Sequence, residues 1–122
     1  MPIEPIQIKA TPDTPKVTCD LDGTITLIGK SLNEDPFDFY SPILNWVKEV
    51  QAENLTIDVQ LEYTNTSSSK QLYNLLKFAK ENKWKKSILV KWYYNESDED
   101  GYELGKEFES MLEIPFEFHA LS

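Results

Sequence analysis

The sequence predicts a single α/β domain, residues 1–122, built as a mixed β-sheet with helices packed mainly on one face. Two observations carry this. Several runs alternate apolar and polar residues, the period of a half-buried strand, and three longer segments between them repeat their apolar residues every three or four positions, the period of a helix packed on one side. The order read from them is β-β-β-α-β-α-β-α-β. A chain of 122 residues is the length of one domain and buries roughly two thirds of its unfolded surface.

Residues 1–16 hold four prolines, Pro2, Pro5, Pro12 and Pro15, which predicts an extended arm with a short strand at Ile6 to Lys9. Val17, Cys19 and Leu21 alternate with polar neighbours, as do Ile25 and Leu27, and Asp22-Gly23 between the two runs is a hairpin signal. "GKSLNED", from Gly29 to Asp35, reads as a loop. Asp35 followed by Pro36 is a helix cap with proline at the first helical position, so a helix should run from Pro36 to about Gln51. Its stripe is Phe37, Tyr40, Leu44, Val47 and Val50, widened by Phe39, Ile43 and Trp46, with Pro42 a point of distortion in its second turn.

Leu55, Ile57, Val59, Leu61 and Tyr63 alternate with polar residues, a strand with one wet face. A helix from about Ser67 to Asn82 follows, buried along Leu72, Leu75, Leu76 and Ala79. "SILVKWYY" from Ser87 is the next strand; alternation puts Trp92 and Tyr94 in the core with Val90 and Tyr93 on the opposite face. The acids of "SDED", Ser97 to Asp100, suit a helix start, and Leu104, Phe108, Met111 and Leu112 form that helix's apolar face. "PFEFHA" closes the sheet. Because strand-helix-strand crossovers are right-handed and return parallel, the loops near 29–35, 64–67 and 95–99 should open at one end, where ligands of open α/β sheets bind.

Composition narrows the function. Six Phe, six Tyr and three Trp supply a core, so the acidic balance does not signal disorder. A net charge of -9 argues against nucleic acid and anionic membrane as partners. One cysteine, Cys19, excludes a disulfide framework and a cysteine metal cluster. With no basic-then-apolar leader and no apolar run of membrane length, a cytoplasmic protein is expected.

"CDLDGTIT" around Asp20 and Asp22 imitates the nucleophile loop of haloacid-dehalogenase-type phosphatases, an alternative reading as a small magnesium-dependent phosphatase. That chemistry needs the first Asp at the end of a continuously apolar, buried strand. It also needs a hydroxyl, a lysine and an acidic pair nearby, for which Thr66, Lys70 or Lys91, and Asp98 with Asp100 are the available residues. The run before Asp20 alternates and the spacing is poor, so a hairpin turn explains Asp20 and Asp22 better. His119, the only histidine, has no cysteine or second histidine beside it to share a metal and reads as a structural or surface residue, and the carboxylates at Asp98 to Asp100 read as a helix cap rather than a magnesium site.

"YTNTSSSK", Tyr63 to Lys70, joins a strand end to a helix start and carries four consecutive hydroxyls. One of Thr66, Ser67 or Ser68 suffices to cap the helix. The same position favours a phosphate, because free N–H groups and the positive helix end stabilise an anion, and phosphorylation adds about -1.5 to -2 charges.

"GKSLNEDPFDFYSPILNW", "LEYTNTSSSK", "VKWYYNESDED" and "IPFEF", in that order, resemble the SiaC family of bacterial regulatory phosphoproteins over about Pro5 to Ala120. That family in turn resembles STAS-domain anti-sigma-factor antagonists in fold, so the resemblance implies a STAS-like sheet. It implies that Thr66 is phosphorylated by a dedicated protein kinase and dephosphorylated by a metal-dependent Ser/Thr phosphatase. It further implies that the unphosphorylated form binds and activates a diguanylate cyclase in cyclic di-GMP and biofilm signalling, with no catalysis by this chain and no cofactor. The switch surface would be Asn65, Ser67, Ser68 and Lys70 around Thr66, with Ser67 and Ser68 as caps or secondary acceptors. An anti-sigma-factor antagonist using the same loop is the alternative. Asn33 departs from the family's Gly-x-Ser-x-Pro-Glu loop, which has proline there.

Overall fold

Alternating and helical periods resolve, over residues 3–122 of the computed structural model, into six strands and three helices. These are β1 (Ile6–Ile8), β2 (Lys16–Cys19), β3 (Thr24–Ser31), α1 (Pro36–Glu49), β4 (Asn54–Thr64), α2 (Thr66–Lys80), β5 (Ser87–Asn95), α3 (Glu99–Leu112) and β6 (Phe116–Leu121). The predicted order holds. The strands also lie side by side in sequence order in one sheet. β1, β2 and β3 are antiparallel neighbours, and β3 to β6 run parallel.

A parallel sheet that always advances to the same side, through right-handed crossovers, places every connecting helix on one face. Accordingly α1 packs along α2, and α3 packs on α2 and β5. Val17, Ile25, Ile57 and Val90 from the sheet meet Tyr40, Val47, Leu72, Leu76 and Phe108 from the helices, all buried. The opposite face carries polar residues such as Thr26, Asp58 and Lys91, together with Tyr93 stacked on His119 at 4.9 Å. His119 also lies 3.2 Å from the Glu117 carboxylate. The helix ends are tied together at the far end of the sheet, where the buried Asn82 amide donates to the carbonyls of Val47 and Val50.

Several details differ from the sequence reading. β3 continues to Ser31 instead of giving way to a loop at Gly29, because it pairs with β4 as far as Ser31↔Thr64. The hairpin turn is Leu21-Asp22-Gly23, closed by Asp20 N–H to Thr24 O at 2.9 Å, so Leu21 leaves the strand and is 49% exposed. Gly23 holds a φ of +101°, and a Cβ there would lie 2.1 Å from the Asn54 carbonyl oxygen, so only glycine fits.

Tyr63 is 62% exposed rather than in the core. The register shifts by one residue between Gly29↔Leu61 and Lys30↔Tyr63, leaving Glu62 unmatched, and such a bulge turns every later side chain to the other face. Phe37 and Met111, assigned to apolar stripes, are exposed at 60% and 56%. Each lies in a terminal turn of its helix. Pro42 is exposed on the outer side of α1, so the helix runs through it and the missing N–H leaves only a carbonyl facing water.

Candidate functional site

Parallel strands β3, β4 and β5 bring the β3–α1 loop, the start of α2 and the start of α3 to the same end of the sheet. Here the chain leaves β4 at Thr64 and enters α2 at Thr66 with a single residue between them. That residue, Asn65, is the cap. Its side-chain oxygen accepts from the Ser68 N–H at 2.8 Å, so the cap expected from a hydroxyl is supplied by an amide instead.

Asn65 is held from two further sides. Its N–H donates to the Ser31 carbonyl at 3.1 Å, and its side-chain amide donates to the Asn33 carbonyl at 3.2 Å. Beneath them, the Ser31 hydroxyl donates to Asn33 Oδ1 at 2.9 Å and lies 2.7 Å from the Tyr40 hydroxyl. With the Ser31 proton directed at Asn33, Tyr40 is the donor of that second bond. Ser31, Asn33 and Tyr40 are all buried, so the network is paired where an unpaired group would be costly. Burial pushes the Tyr40 phenol up to about 12. Asn33, the departure from the proline of the resembled loop, is therefore a buried acceptor that proline could not replace.

The four hydroxyls separate cleanly. Thr66 is exposed in the first helical position, and among the described residues no side-chain hydrogen bond engages its hydroxyl. Ser67 is exposed beside it. Ser68 is fully buried, with its hydroxyl lacking a partner, so it is neither a contact residue nor a second acceptor while the helix stays folded. Ser69 bonds back to Thr64 at 2.8 Å. Lys70 is exposed and stands four residues after Thr66, on the same side of α2. Three apolar side chains are exposed in the segments that meet at this end of the sheet: Leu32 in the β3–α1 loop, Phe37 in the first turn of α1, and Tyr63 near the end of β4, with the Lys30 ammonium 5.6 Å from its ring centre.

The residues recruited for a phosphatase do not converge. Asp20 and Asp22 lie in the β2–β3 turn, where the Gly23 carbonyl bonds the Thr56 N–H near the start of β4, at the end of the sheet opposite Thr66. Asp22 is occupied in receiving the Thr24 N–H at 2.9 Å. Asp98 caps α3 by accepting from the Gly101 N–H at 3.0 Å, as read from the sequence. Among the described residues no three His, Cys, Asp or Glu side chains are grouped to hold a metal ion. Asp20 and Asp22 are turn residues, as the alternating run before them indicated.

The chain was compared with known proteins. The family model described as "SiaC family regulatory phosphoprotein" matches residues 8–121. An uncharacterized protein of Pseudomonas aeruginosa strain UCBPP-PA14 is 28% identical over 120 residues, spanning 94% of this chain and 95% of that one. The crystal structure of apo-SiaC from Pseudomonas aeruginosa superposes with a TM-score of 0.80 at 25% identity, over 97% of this chain and 100% of that one. A structure of the diguanylate cyclase SiaD in complex with its activator SiaC, from the same organism, contains a chain that matches with a TM-score of 0.82 at 27% identity, over 95% and 99%. Sheet order, helix placement and a match over almost the full length agree, and the chain belongs to the SiaC family of regulatory phosphoproteins.

Proposed function

We propose that this chain is a non-enzymatic phospho-switch whose acceptor is Thr66 and whose unphosphorylated form binds and activates a diguanylate cyclase. The observation that carries the reading is the contrast within the hydroxyl run: Thr66 projects from a braced helix start, while Ser68 is sealed and Ser69 is bonded. A protein kinase reaches the first without unfolding anything. A metal-dependent Ser/Thr phosphatase reverses the step, and the cycle runs in the cytoplasm.

A phosphate on Thr66 sits where unpaired N–H groups and the positive end of α2 favour an anion, with Lys70 one turn further on. It is retained without disturbing the cap, since Asn65 already serves the Ser68 N–H. What changes is the surface. Without phosphate, Thr66, Ser67, Leu32, Phe37 and Tyr63 present a patch of small polar and apolar groups; with it, about two negative charges stand in the middle and must be desolvated by any partner. The partner for this reading follows the SiaD complex of the related activator, and residues 1–122 act as one regulatory domain.

The test is the intact mass of the chain isolated from its host, before and after phosphatase treatment, with the modified peptide mapped. One removable phosphate on Thr66, absent from Thr66→Ala, is the expected result. Phosphate on Ser67 alone, or none under any growth condition, contradicts it.

A further inference from the structure

β4 and β5 pair from Asn54↔Ser87 to Val59↔Trp92 and no further, although β4 runs on to Thr64 and β5 to Asn95. Beyond Val59, β4 stays with β3 as far as Thr64↔Ser31, and β5 stays with β6 as far as Asn95↔Leu121. The sheet therefore divides into two leaves at the end that carries Thr66. The bulge at Glu62 accounts for the parting, since an extra residue bends its strand and adds local twist.

Hollows open on both faces of this split. The one on the helix side has a volume of about 400 Å³ and that on the open face about 590 Å³. Both are bordered by Leu61, Glu62, Tyr63, Tyr93, Tyr94 and Asp98, so they are two mouths of one gap through the sheet. A strand has hydrogen-bonding groups along both edges, and where the ladder stops, the edges that face each other are left for another chain to pair with. The rings of Tyr63 and of Tyr93, the latter backed on one face by His119, border the gap. The charged groups at the two mouths are Glu62, Asp98 and, on the helix side, Asp100, while Lys30 is drawn over the Tyr63 ring.

We propose that the split between β4 and β5 is a docking site for an extended, basic segment of a partner protein. The segment adds main-chain hydrogen bonds to the edges at residues 60–64 and 93–94, the Asn95 carbonyl being taken by the Asp98 N–H, places apolar side chains against Tyr63 and Tyr93, and brings lysine or arginine to Glu62, Asp98 and Asp100. Unpaired strand edges select an extended backbone over a helix, and the carboxylates select a cationic one. The site does not depend on phosphate at Thr66. It lies beside it, so one partner can span both.

The test uses the isotope-labelled, unphosphorylated chain and three capped hexapeptides, followed by amide NMR shifts. The probes are Lys-Val-Lys-Phe-Lys-Val, the same sequence with alternate backbone nitrogens methylated, and Glu-Val-Glu-Phe-Glu-Val. The basic peptide at millimolar concentration should shift the amides of residues 60–64 and 93–98. Methylation, glutamate in place of lysine, and Glu62→Lys or Tyr93→Ala in the protein should each weaken it by about tenfold or more. No shifts in those segments, equal shifts from the methylated peptide, or shifts confined to the start of α2 overturn the proposal. None of these outcomes bears on whether Thr66 is phosphorylated.

Discussion

Asn65 does two jobs with one side chain, and a pair of substitutions separates them. Asn65→Ala removes the cap of α2 and the link to the Asn33 carbonyl, and should lower stability by about 1–2 kcal/mol in urea unfolding. Asn65→Asp keeps an acceptor for the Ser68 N–H but loses the donor to Asn33, so the helix should persist while the β3–α1 loop loosens, seen as faster hydrogen exchange over residues 32–35. Tyr40 gives a pH signature. Its phenol is pushed up to about 12 by burial, so the folded state holds a proton that the unfolded chain releases near 10. The stability contributed by that proton is whole below about pH 10 and is lost as pH rises toward 12. Tyr40→Phe should therefore lose less stability than wild type over that interval, by an amount on the order of 2 kcal/mol, read from urea midpoints. Cys19 adds to the same alkaline loss in both proteins, because burial first and Asp20 second push its thiol up to about 12. From the sequence, the hydroxyl run at the junction of a strand and a helix was legible. The Asn65 cap was not, because asparagine and serine cap equally well, and the Ser31–Asn33–Tyr40 network joins residues of a loop and a helix that only the folded backbone brings together.

The elements were legible where period and punctuation agreed. All six strands and three helices follow from alternation, helical spacing and the Asp-Pro and Asp-Gly signals. Tyr63 was misassigned because a single unmatched residue reverses the facing of whatever follows, and nothing in "VQLEYTN" marks Glu62 as that residue. The parting of β4 from β5 was hidden for the same reason. Helix α3 makes a sharper claim about packing. Gly105 is buried, and a Cβ there would lie 2.6 Å from Trp92 Nε1 and 2.8 Å from Phe118 Cε1, so the helix rides on these rings with no room for a methyl group. Trp92 also donates to the Gly101 carbonyl at 3.0 Å, which fixes the ring beneath the helix. Alanine is the better helix former by about 1 kcal/mol, yet Gly105→Ala should destabilise the protein by about 1–3 kcal/mol through overpacking. A rise in melting temperature would show that α3 does not approach the sheet this closely.

At the scale of the whole molecule, a sheet in sequence order with right-handed crossovers does two things at once. It puts all helices on one face, and it gathers the starts of α2 and α3 with the β3–α1 loop at one end. The hairpin bearing Asp20 and Asp22 is carried to the other end by the same topology, which keeps a motif resembling a catalytic loop apart from Thr66, Lys70 and Asp98. A net charge of -9 makes the molecule sensitive to one further phosphate only where a partner must shed water from that spot, which is the role the proposed switch gives Thr66. The most direct measurement is the affinity of the host's diguanylate cyclase for three forms of this chain: unphosphorylated wild type, Thr66→Ala, and wild type phosphorylated at Thr66. The first two should bind alike and the third at least about tenfold more weakly, a difference of about 1.4 kcal/mol. Equal affinity across the three forms would contradict the switch.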